Sequence, residues 1–274
     1  MLENLVDNAP VFLLVAVRCF ALIMTLPLFS SRTVPRMAKA ALAGYMAYFI
    51  FPLVSLAEGP YAAYSSGFSG RGKITQEYIF YLIGEGLIGF LIGFYINVIF
   101  AAFSTAGQFF AFQMGFSASQ VFDAMSEVEN PLLGEFFNFA AMLLFLQTQW
   151  CQNLFLYGLK SSYRVLNVFL MLENSGSMVA FMFKSLTRLF SSALVIALPL
   201  MGTLFLINIS VGLLAKASPQ MNLMSEGFPT LILTSFLLLF TLLPEMCNFF
   251  IKSFAAGFKQ LEQLFILLSG GGVQ

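Results

Sequence analysis

Apolar residues in this chain run on for about 20 positions at a time, with polar and charged groups gathered between the runs. Six stretches read as hydrophobic helices: 9–29, 38–57, 78–105, 132–158, 187–214 and 228–250. Each reaches the roughly 20 residues needed to cross a hydrocarbon core about 30 Å thick. Pro27 and Pro35 bracket the first loop, and Pro52 and Pro60 close the second segment. Asn130 and Pro131 open the fourth as N-cap and first helical residue.

Residues 86–122 carry no charge, a run of 37. One straight helix of that length would measure roughly 55 Å, far beyond a bilayer core. Polarity changes inside the run, at Ser104-Thr105-Ala106-Gly107-Gln108 and again from Gln113 to Gln120. The pattern predicts that the third helix ends near there and that an irregular Gly/Ser/Gln-rich segment follows over 106–123. Irregular backbone at membrane depth is tolerated only when buried in protein or lining a cavity. This segment is therefore the first functional candidate, with an ordinary inter-helix loop as its alternative.

Composition supports a membrane setting. Of 274 residues 59% are hydrophobic and 9% charged, with 13 basic and 13 acidic side chains. Soluble domains carry about 25% charge. No histidine is present, which excludes Ser-His-Asp triads, HExxH zinc sites and His-ligated haem. Neutral net charge and sparse basic residues leave no nucleic-acid footprint. Cys19, Cys151 and Cys247 lack metal or disulfide spacing and read as small buried hydrophobes. Neither a cofactor nor an enzymatic nucleophile–base pair is indicated. With both termini inside, 8 basic loop residues fall inside against 4 outside, which favours that orientation.

Arg18 lies within the first segment, where an isolated guanidinium costs about 2.5–3.5 kcal/mol. It requires a carboxylate partner, a wet cavity or a position outside lipid, and Glu85 and Glu245 pose the same question. Asp123, Glu127, Glu129 and Glu135 follow the uncharged run and read as a solvated acidic loop, or as the rim of a conduit. Gly84, Gly86, Gly89 and Gly93 stud the third segment, and Ala102 and Ala106 continue the small-residue spacing, which predicts tight helix packing. Pro199 is expected to kink the fifth segment. Gly270 to Gly272 read as a frayed tail.

Three of these stretches resemble the FliR family of flagellar type III export-gate proteins, whose injectisome counterpart is SctT. They are the first loop from Arg18 through Pro27 to Pro35, the segment from Ala106 to Ser117, and Leu213 to Asn222 with Gly227-Phe228-Pro229. With these motifs in the expected order, six segments and a matching length, the resemblance covers essentially the whole chain as one domain, 1–274. The resemblance implies an all-α membrane protein of about six long hydrophobic helices in hairpins, packed in a helical hetero-oligomeric export gate. It implies a non-catalytic subunit that forms, with FliP- and FliQ-like subunits, a closed channel for unfolded flagellar proteins. An FlhB-like subunit is implied as a further partner, and the bacterial inner membrane at the flagellar basal body as the location. By position, Gly107, Phe109, Phe110, Phe112, Gln113, Met114, Gly115, Phe116 and Ser117 would form the channel plug, with Gly115 supplying the bend. Arg18, Pro27, Pro35, Pro219, Gln220, Asn222, Gly227 and Pro229 would be signature structural positions. Deleting residues 110–119 would then raise ion leak while sparing assembly. The chain departs from the family at Gln149-Trp150-Cys151, where Asn-Gly-His is frequent, and at Asp123-Ala124, where Asp-Pro is common. A secondary transporter or small-solute channel with a re-entrant loop is the alternative from the residues alone.

Overall fold

The computed structural model describes residues 9–30, 34–53, 61, 64, 76–115, 132–217 and 227–268, and the elements among them are helical. In chain order they are α1 (Ala9–Thr25), α2 (Pro27–Ser30), α3 (Arg36–Ile50) with a 3₁₀ turn Phe51–Leu53, α4 (Gln76–Gln113), α5 (Leu132–Gln147) and α6 (Trp150–Asn153). A π-helical stretch Leu154–Leu159 leads into α7 (Lys160–Val165), α8 (Val168–Glu173), α9 (Ser175–Ala217) and α10 (Phe228–Leu268). The all-α membrane architecture holds: α4, α9 and α10 are long and apolar enough to cross a membrane, while α1 and α5 are shorter apolar helices.

The chain groups into two compact units. The first comprises Met1–Val98, Gln149–Ser185 and Ala255–Gln274, the second Ile99–Thr148 and Leu186–Phe254. In the first, α1 packs on α3, burying Leu14, Val15, Cys19, Leu22 and Ile23 with Ala43 and Ala47. Tyr95 donates to the carbonyl of Gly257 at 3.0 Å, and Trp150 stacks on Phe258 with ring centroids 4.8 Å apart. The second unit is built on aromatic rings. Phe103 meets Phe250 at 4.1 Å, and Phe100 and Phe145 lie 5.0 and 5.2 Å from Phe254. Such pairs contribute roughly 0.5–1.5 kcal/mol each beyond their buried area.

Helix ends differ from those the hydrophobic pattern predicts. The third helix runs on through the polar step at residues 104–108 and ends at Gln113, so an irregular segment beginning at 106 is incorrect. Polar side chains do not stop a helix whose backbone bonds are intact, and Gln and Ala are good helix formers. α9 starts twelve residues before the apolar window and α10 ends eighteen after it. Lys184, Lys252, Lys259 and Glu262 end a hydropathy window, yet all favour helix. The fourth segment, expected to run unbroken to 158, breaks after Gln147. Gln149 there has φ 61°, the left-handed region that side chains other than Gly and Asn rarely adopt. This is the position of the departure from the family pattern. Pro199 lies inside α9 as expected, and Pro244 inside α10 was not singled out. Of the cysteines only Cys19 is buried; Cys151 and Cys247 are half-buried, contrary to expectation. Both sit on helix surfaces outside the chain's own core.

Candidate functional site

Arg18 is fully buried in the first unit and is paired. Its Nε donates to Glu85 Oε2 at 2.6 Å, Nη1 to Ser162 Oγ at 3.1 Å and Nη2 to the Leu166 carbonyl at 3.0 Å. Glu85, equally buried, also accepts from the Tyr61 and Tyr64 hydroxyls at 2.7 and 2.8 Å. Tyr64 in turn accepts the Val168 N–H at 2.8 Å, which anchors the start of α8. The guanidinium carbon lies 4.3 Å from the centre of the Tyr163 ring, close enough for a cation–π contact. No buried side-chain nitrogen or oxygen among the described residues lacks a partner. Burial pushes the Tyr61 and Tyr64 phenols above their ordinary value, so both stay protonated donors. A buried ion pair survives only when its remaining donors and acceptors are satisfied, and here they are.

The glycines of α4 make this arrangement possible. A Cβ on Gly89 would press on the Arg18 carbonyl, with its carbonyl carbon at 3.0 Å. One on Gly93 would meet the Leu22 carbonyl oxygen at 3.0 Å, and one on Gly84 would collide with Val168. The tight packing expected of the glycine run is therefore real, and it draws the Arg18 backbone against α4 within reach of Glu85. Gly89→Ala is expected to cost about 1–3 kcal/mol by overpacking, read as a lower unfolding midpoint in detergent. Gly86→Ala, whose nearest neighbour is Val17 at 3.4 Å, should leave that midpoint nearly unchanged.

The second unit holds the end of α4. Gly107 is buried in the helix, where a Cβ would meet the Leu133 carbonyl at 2.6 Å and Gly134 Cα at 2.9 Å. It serves close crossing with α5 rather than flexibility. Phe110 and Met114 are fully buried, Phe109, Gln113 and Gly115 are half-buried, and Phe112 is 74% exposed. Gly115 has φ 80°, a conformation that favours glycine, and its N–H bonds the Phe112 carbonyl at 3.2 Å. Residues set together as a plug thus divide. Phe110 and Met114, one helical turn apart, anchor the helix end in the chain's own core, and Phe112 points away from it. Phe116 and Ser117 lie outside the described residues, as do Pro219, Gln220 and Asn222, the acidic residues 123–129, the Asn130-Pro131 cap and the tail at 270–272. Pro27 and Gly227 are buried and Pro35 and Pro229 exposed.

Tyr61, Tyr64, Ser162 and Tyr163 were not singled out from the sequence. The usable signal was the need of Arg18 and Glu85 for uncharged hydrogen-bond partners, which does not say which hydroxyls supply them.

The family described as bacterial export proteins, family 1, matches residues 9–257 of this chain. The chain is 30% identical over 240 residues to the flagellar biosynthetic protein FliR of Bacillus subtilis (strain 168), covering 87% of this chain and 88% of that one. It is 28% identical over 259 residues to FliR of Escherichia coli (strain K12), covering 90% and 89%. It is also 27% identical over 177 residues to the surface presentation of antigens protein SpaR of Shigella sonnei, covering 64% and 68%.

Proposed function

From the premise that the chain belongs to the bacterial export proteins of family 1, we propose that it is the FliR-like subunit of a flagellar type III export gate. Family membership makes it a membrane-bound component of an export apparatus and not an enzyme. In the proposed assembly FliP- and FliQ-like subunits complete a closed channel for unfolded flagellar proteins in the bacterial inner membrane, and an FlhB-like subunit docks on it.

The observation that carries this reading is the surface of α9. Its 43 residues extend about 65 Å, roughly twice a hydrocarbon core. Yet only 22% of its most apolar 18-residue window is buried within the chain. Phe183, Phe190, Leu198, Leu206 and Leu213 are exposed along much of that length. Exposed apolar surface on this scale marks contact with lipid or with other chains, and a bilayer cannot cover the whole helix. Partner subunits meet that requirement.

The proposed seal is Phe112 with the residues that follow Gly115. A large exposed aromatic at the helix end can exclude water yet yield to a passing chain, while Phe110 and Met114 hold its base. Phe112→Ala is expected to raise ion conductance of the assembled gate several-fold with normal assembly. Planar-bilayer recording on purified complexes measures it, and unchanged conductance would remove Phe112 from the seal.

Native mass spectrometry of the tagged chain, extracted in mild detergent from its host, tests the assembly. The expected species is one copy of this chain with several FliP- and FliQ-like subunits. A monomer or homo-oligomer from active extracts would reject the gate and favour a solute channel or transporter.

A further inference from the structure

The second unit contains a cavity of about 230 Å³ between its portions of α9 and α10, lined by Val195 and Pro199 on one side and by Leu242, Glu245, Asn248 and Lys252 on the other. Pro199 has no N–H, so the carbonyl of Val195 loses its usual donor one turn on. Glu245 is exposed on this lining. Among the described residues the one ion pair is Arg18–Glu85, so Glu245 has no counter-ion among them. Lys252, the cation on the same lining, is seven residues further along α10. That is about 10 Å along the axis, too far for contact.

A carboxylate on an apolar helix costs a few kcal/mol unless it is paired when that helix is covered. Glu245 and the Asn248 amide oxygen supply acceptors on the α10 wall, which also carries Lys252, and the Val195 carbonyl lies across from them on α9. The occupant that satisfies these acceptors is a cation bearing several N–H groups. The volume falls below the roughly 300–1,000 Å³ of ordinary small-molecule sites and suits one long side chain rather than a two-chain lipid. We propose that this cavity receives a lysine or arginine side chain from a neighbouring subunit, with Glu245 as its counter-ion. The proposal rests on the reading above that the chain works inside a hetero-oligomeric complex. Lys252 does not oppose it. A contact pair near 4 Å outweighs a like charge about 10 Å away, and the flexible lysine stem can turn its ammonium toward solvent.

The test is recovery of partner subunits with the tagged chain, set against its own unfolding midpoint in detergent. Glu245→Gln should reduce recovered partners at least about tenfold, the scale of losing a charge-assisted hydrogen bond, with the midpoint unchanged. Lys252→Gln should hold partners at least as well as the parent chain. Undiminished recovery with Glu245→Gln, or an equal loss with Lys252→Gln, would overturn the proposal. If the parent chain itself recovers no partners, it is the gate assignment that fails. A second measurement leaves Glu245 intact: a photo-crosslinking residue at Phe249, beside the cavity, is activated in the assembled complex. The captured peptide should carry a lysine or arginine within one helical turn of the attachment point. Capture of lipid, or of a peptide without a basic residue there, would overturn the proposal.

Discussion

Arg18→Met is expected to destabilise the chain by about 3–5 kcal/mol, the cost of breaking a buried ion pair by removing one partner. Three donors vanish together. The Glu85 carboxylate is left with two tyrosine hydroxyls, and Ser162 Oγ and the Leu166 carbonyl lose the hydrogen bonds they accept from Arg18. Glu85→Gln removes the charge but keeps a carbonyl oxygen for Tyr61 or Tyr64, so its loss should sit at the low end of that range. In Arg18→Met/Glu85→Gln no uncompensated charge remains, and the double substitution should cost clearly less than the two single losses added. Denaturation midpoints of the four chains in one detergent close the cycle. Strict additivity would show that the pair is not coupled. Arg18→Lys is no rescue, because an ammonium cannot reproduce the guanidinium fork that meets Glu85, Ser162 and Leu166 at once.

Phe110→Ala should cost about 3–5 kcal/mol, the range for emptying a fully buried phenylalanine site. Phe110 has no exposed surface and lies one turn from Gly107, whose backbone is pressed against Leu133 and Gly134. Neighbouring backbones this close have little freedom to collapse into the space. Phe112→Ala, two residues on, should leave the unfolding midpoint nearly unchanged and act on conductance instead. Equal midpoints for the two variants would contradict the division of the helix end into a buried anchor and an exposed tip. The deletion of 110–119 must be judged in this light. It removes Phe110 and Met114 from the core, so assembly would suffer with the seal, and substitution at Phe112 is the cleaner probe.

Much of the local architecture was legible residue by residue. Glycines at 84, 89 and 93 announced close packing, and each one faces a neighbour that leaves no room for a Cβ. Gly115 was legible as a bend because a positive φ favours glycine. The end of α4 was misread for a physical reason. Residues 104–108 are polar but not helix-breaking, and polarity reports solvent preference while hydrogen bonding determines where a helix stops. The ends of α9 and α10 were misplaced on the same ground, since Lys184, Lys252 and Lys259 end an apolar window without ending a helix.

By itself the sequence determined the membrane setting, the all-helical class, the family and the need of Arg18 for a partner, a wet cavity or a place outside lipid. Those follow from composition, run length and the desolvation cost of a charge, and none depends on which segments meet. Tertiary structure alone decided that the partner is Glu85, 67 residues away, that the hydroxyls of Tyr61 and Tyr64 donate to Glu85, and that Ser162 accepts from Arg18. It also decided that Phe110 and Met114 are buried while Phe112 is exposed. A linear pattern states what each side chain requires. Which groups meet that requirement depends on distances across the fold, and those arise only when helices far apart in the chain are packed together.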